Sequence, residues 1–126
     1  MHVSNYEEKQ MSSIRLFEDQ KIRTAWNAEE EEWYFSVVDV IAVLTDSDNP
    51  AVYWRVLKKR LKAEGNETVT NCNGLKMLAA DGKLRLTDVL KTQDLLRLIQ
   101  SIPSPKAEPF KLWIDKILLK HSMSEK

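Results

Sequence analysis

Cysteine is almost missing from this chain: Cys72 stands alone among 126 residues, so neither an internal disulfide nor a thiolate-rich zinc site can form within one chain. Glycine is nearly as scarce. The three glycines build no phosphate-cradling loop and flank no serine nucleophile. The only histidines, His2 and His121, lie in the terminal segments, and no acid–base pair accompanies them, so no enzyme is expected. Cys72, set in Thr70-Asn71-Cys72-Asn73 without a base beside it, reads as packing or a spectator. No apolar run approaches the roughly 20 residues that cross a bilayer, and Glu7, Glu8 and Lys9 stand where a signal peptide would be apolar. A cytoplasmic protein without a membrane partner, metal or cofactor is the expectation.

What the chain does have is charge, unevenly placed. Its formal net charge is zero, yet residues 1–53 carry 4 Lys/Arg against 11 Asp/Glu, and residues 54–126 carry 15 against 8. The first part is net acidic and the second net basic. A neutral domain of this kind can still attract phosphates through one basic face. The run Glu29–Glu32 lacks the alternating geometry of a calcium loop and reads as a solvated acidic loop.

Hydrophobic patterning predicts an α+β fold. Residues 1–13 read as a loosely held tail, 14–119 as a single domain and 120–126 as a C-terminal tail. Two short runs around Glu18-Asp19-Gln20-Lys21 read as a β-hairpin, and Trp33-Tyr34-Phe35 as a third strand. Ser36 and Asp39 resemble a capping box for a helix over 37–45. Asn49 and Pro50 suit the cap and first position of a second helix, over 50–63 and ended by Gly65. The two make a helix-turn-helix-like pair. Strand character returns over 68–72 and 75–78, and Asp81-Gly82 reads as a two-residue hairpin turn before Leu84-Arg85-Leu86. Two antiparallel hairpin or meander units thus flank the helix pair, closed by two C-terminal helices. Thr92 is placed to cap the first of these, a helix that must be buried around most of its circumference. Ser104-Pro105 opens the second, where Pro109 demands a kink or a later start.

The segment Ala51–Lys62 carries the functional signal. At about 100° per residue, Tyr53, Trp54, Leu57 and Leu61 gather on one side, and Arg55, Lys58, Lys59 and Lys62 on the other, with Arg60 at the margin. Such cations can neutralise phosphates, and arginine can also grip guanine edges. A solvated face that only keeps the domain soluble is the other reading of the same pattern. Lys76, Lys83 and Arg85 are secondary candidates for DNA contact. Trp54 and the run Trp33-Tyr34-Phe35 read as core rather than as base-stacking platforms.

Taken in order, Trp33-Tyr34-Phe35-Ser36-Val37-Val38-Asp39-Val40, Asn49-Pro50 with the basic helix, Leu95-Leu96-Arg97-Leu98-Ile99 and Ser104-Pro105-Lys106-Ala107-Glu108-Pro109-Phe110-Lys111-Leu112-Trp113 carry a family likeness. From about Ile14 to Leu119 the chain resembles the Bro-N family, the N-terminal domain shared by baculovirus Bro proteins and prophage antirepressors. Asp94 departs from it, standing where many members have glycine, and so does Pro109. The resemblance implies a DNA-associated transcription-regulatory module that binds duplex DNA, often beside a separate C-terminal domain. Homodimerisation would extend its reach. The alternative is a protein-interaction module that engages a repressor or another partner without touching DNA.

Overall fold

The computed structural model describes residues 10–124. The domain is α+β, with one antiparallel five-stranded sheet and five helices among the described residues. Strands β1 (Gln10–Phe17) and β2 (Gln20–Asn27) form the first hairpin. Its two-residue turn works without glycine because Glu18 and Asp19 both take positive φ, 50° and 68°, matching the twist that tight hairpins require. β1 begins at Gln10, so the expected tail gives way to strand before Ile14; residues 1–9 lie outside the described residues.

β3 (Glu32–Ser36) follows, and helix α1 (Val37–Thr45) grows directly from its end. Ser36 caps α1 by accepting the Asp39 N–H. The Asp39 carboxylate does not complete a capping box. It instead accepts the Arg23 backbone N–H at 2.9 Å and the Arg23 guanidinium at 2.7 and 3.0 Å. Helix α2 (Pro50–Ala63) starts where Asn49 accepts the Val52 N–H and Pro50 takes the first turn.

Residues 68–72, expected as a strand, instead contribute to a short helix α3 (Glu67–Thr70). Asn66 accepts the Thr68 N–H at 2.8 Å, and this local cap, with Glu67 in the first turn, outweighs the β-branched composition. The next pair, β4 (Asn73–Leu78) and β5 (Leu84–Lys91), forms the second hairpin. Its loop is longer than the two residues expected. Ala79 donates to the Lys83 carbonyl and Gly82 to the Ala79 carbonyl, leaving a three-residue loop in which Gly82 takes φ 83°.

Helix α4 (Thr92–Ile99) and helix α5 (Ala107–Ser124) complete the chain. Thr92 is the first helical residue and caps nothing; Lys91 holds the cap position without a side-chain bond. α4 buries Leu95, Leu98 and Ile99 but leaves Gln93 and Arg97 exposed, so it is one-sided rather than buried all round. Starting at Ala107, α5 places Pro109 in its first turn, where no intrahelical donor is needed. The helix also runs on past Leu119 to Ser124.

The two hairpin units join into one sheet of order β1-β2-β3-β5-β4, through pairing of Phe35 with Leu90. One sheet face carries Phe17, Ile22, Trp33, Phe35 and Leu90 into the main core with residues from α1, α2, α4 and α5. Phe17, Phe110 and Trp113 form an aromatic cluster there, with centroids 5.2–5.8 Å apart. The opposite face buries a smaller group, Ala25, Tyr34, Met77 and Val89. Arg23 Nη1 reaches the Leu78 carbonyl at 3.1 Å, from β2 to a strand that is not its neighbour. The sheet therefore curls until β4 approaches β2 over that second group.

Candidate nucleic-acid interface

Helix α2 is mounted on the body by its apolar side: Trp54, Leu57 and Leu61 are buried and Tyr53 packs against the same core. A polar tether fixes its rotation. The Trp54 indole N–H donates to Asp88 Oδ2 of β5 at 2.7 Å, and Lys58 Nζ donates to the same oxygen at 3.0 Å. Lys58 also lies over the Trp54 ring, 5.8 Å from its centroid. Partial burial of Asp88 pushes its pKa up, but the bonds from Trp54 and Lys58, with the Lys58 charge, outweigh that and hold the carboxyl below its ordinary range.

This tether divides the five cations that the helical pattern groups. Lys58 is half-buried and engaged with Asp88. Arg60 is exposed and lies 3.8 Å from Glu64, a loose pair in water that contributes little. Arg55, Lys59 and Lys62 are exposed and make no ion pair or hydrogen bond among the described residues. Arg55 and Lys62, at i−3 and i+4 from Lys58, share its flank of the helix, and Lys59 lies next round from them.

The secondary candidates sit on the β4–β5 hairpin. Lys76 and Lys83 are exposed, again with no ion pair among the described residues. Arg85 is committed to Asp81 through an ion pair. That bond and the Lys83 N–H together lower the Asp81 pKa. Register sorts the hairpin into two faces: Lys76 pairs with Leu86 and Leu78 with Leu84 on the side of Asp88 and α2, while Met77 pairs with Arg85 on the other. Lys76 thus lies on the face that α2 occupies, and Arg85 does not.

Two features of this region were not singled out from the sequence. One is Asp88, whose place among Leu84, Leu86 and Leu90 puts it on an otherwise apolar face. The exposed leucines Leu78, Leu84 and Leu86 were signalled by the same alternation, but alternation alone does not tell a covered face from a bare one.

Elsewhere the chain offers little chemistry. Cys72 is half-buried, and burial first, then the Asp88 charge, pushes its thiol up to about 11, far from a ready nucleophile. Among the described residues no group of three His, Cys, Asp or Glu side chains could hold a metal ion, and no helix is long and apolar enough to cross a membrane. Trp33, Tyr34 and Phe35 are all buried, as their pattern suggested.

Neither curated proteins nor solved structures gave a match to the chain. The family model described as the BRO family, N-terminal domain, matches residues 21–120 and so spans β2 to α5; the chain belongs to that family.

Proposed function

We propose that this domain is a DNA-associated transcription-regulatory module of the prophage antirepressor type, which docks on duplex DNA through α2. The observation that carries this reading is the division made by Asp88: a rigidly mounted helix keeps Arg55, Lys59 and Lys62 exposed and without a partner among the described residues. Arg60 adds a fourth, loosely paired cation at the margin. Lys58 supports the helix and is not a first-rank phosphate contact. On the hairpin, Lys76 and Lys83 are free to extend the patch, whereas Arg85 must first leave Asp81.

The test is a titration against duplex DNA at several salt concentrations, comparing the native domain with Arg55→Gln/Lys59→Gln/Lys62→Gln. Native binding should weaken steeply with salt. In the variant the log–log salt slope should be shallower by roughly 2.7, at about 0.9 per lost phosphate contact. Native binding that is absent at low salt, or identical in the triple variant, would sink the reading. A protein-binding role for the same helix has one observation behind it: Val56 is exposed on the outer side of α2, beside Tyr53 and Arg60. Binding of a protein partner that Val56→Ser abolishes, with no DNA association, would favour that role.

A further inference from the structure

Beyond Asp88 the β4–β5 hairpin forms an arm whose residues Leu84, Arg85 and Leu86 are exposed. On one face it carries Leu78, Leu84 and Leu86, with 54%, 66% and 75% of their surface exposed. Their placement follows from the register: Leu78 faces Leu84 across the ladder, Lys76 faces Leu86, and Gly74 faces Asp88. Leu86 lies against Gly74, where an added Cβ would come within 3.1 Å of it. The apolar ladder therefore runs straight on from the Asp88 tether, on the side where α2 holds its free cations.

The arm is also held in place. At its root Asp88 is bonded to Trp54 and Lys58, and near its tip the Leu78 carbonyl is bonded to Arg23. Apolar side chains kept in water on a braced element mark an interaction surface. The charges on the arm choose its partner. Lys76 shares the leucine face and Lys83 stands beside the tip, neither with an ion-pair partner among the described residues. A symmetric second copy would bring these cations together, whereas a polyanion with apolar faces between its charges meets both features at once.

We infer that the arm is a wedge for duplex DNA: Lys76 and Lys83 meet the phosphates flanking a groove while Leu84 and Leu86 press into a base step and kink the helix. Apolar wedges of this kind partly unstack a step and bend DNA by about 20–90°. The inference rests on the DNA reading of α2 and adds to it a deformation of the bound site. Flexible pyrimidine–purine steps beside the α2 footprint would be favoured, because they unstack most readily.

The experiment uses the full chain and a duplex carrying dyes at both ends and 2-aminopurine at a central TA step. Native protein should shorten the end-to-end distance and raise 2-aminopurine fluorescence severalfold. Leu84→Ser/Leu86→Ser, both at exposed positions, should still fold by circular dichroism and bind with an unchanged salt slope, yet lose the bend and the fluorescence rise. Leu84→Phe/Leu86→Phe should restore both signals. Bending that persists in the serine pair overturns the inference while leaving α2 as the docking element. A native dimer in sedimentation that the serine pair turns into monomer overturns it too, since the leucines would then belong to a second copy. Absence of salt-dependent binding by the native domain overturns the α2 reading and the wedge together.

Discussion

Trp54 and Asp88, one from the basic helix and one from the fourth strand of the sheet order, share a hydrogen bond of 2.7 Å that locks the helix to the hairpin. Asp88 titrates below its ordinary value of 3.8 in the folded domain, so the folded state binds this proton less readily than the unfolded chain. The bond's contribution is therefore complete above that ordinary value and lost as pH falls through the lower folded value. Urea midpoints measured from pH 7 down to pH 2.5 should fall less steeply for Asp88→Asn than for the native domain. An equal acid dependence would show that Asp88 is not linked to stability.

Neighbouring lysines on α2 should behave differently when neutralised. Lys58→Gln removes a bond to Asp88 and should lower stability by up to about 1 kcal/mol, the upper range for a pair this open to water, with little change in the salt slope of DNA binding. Lys59→Gln should leave stability within about 0.5 kcal/mol and reduce the slope by about 0.9. Chemical denaturation and salt-dependent titration of the two variants check this, and a reversed pattern would contradict the assigned roles.

The Arg23–Asp39 pair joins β2 to the first turn of α1 through the two guanidinium contacts and a backbone bond. Both side chains are about four-fifths buried, at 20% and 18% exposure. Removing either partner leaves the other's charge poorly solvated, so Arg23→Gln and Asp39→Asn should each cost about 2–3 kcal/mol. Their double-mutant cycle should show a coupling above about 1 kcal/mol, as expected for residues in one network. A coupling near zero would mean that the pair acts independently.

Thr92 opens α4 with its side-chain hydroxyl buried and without a hydrogen-bond partner among the described residues. Thr92→Val keeps the shape and removes the stranded oxygen, which should raise stability by about 1 kcal/mol. Thermal unfolding provides the measurement, and a lower midpoint would point to a partner for the hydroxyl in solution.

Much of this architecture could be read from short stretches because local chemistry sets it. Ser36 and Asn49 cap α1 and α2 where their side chains can accept the first free N–H groups, and the bounds 37–45 and 50–63 followed. The segment 68–72 misled because Thr68, Val69 and Thr70 favour strands by shape, while the decisive cap from Asn66 lies outside them. The loop before Leu84 was too short by one residue, since an Asp-Gly pair suits both loop lengths and only the Ala79–Lys83 bond selects one. At the site, helical periodicity assigned Trp54 inward but left Lys58 with the free cations. Its engagement depends on a carboxylate thirty residues away, and no periodicity reports a contact of that range.

The seam between β3 and β5 has a cost in time. Tyr34, Phe35 and Ser36 meet Lys91, Leu90 and Val89 across a stretch of chain that holds three helices and β4, and such distant pairings are slow to close. Until then β3 keeps a bare, aromatic-rich edge open to strands of other chains. A nascent chain stalled before Leu84 would stay in that exposed condition, so the hazard that this topology sets falls during synthesis, while the partner strand is still missing.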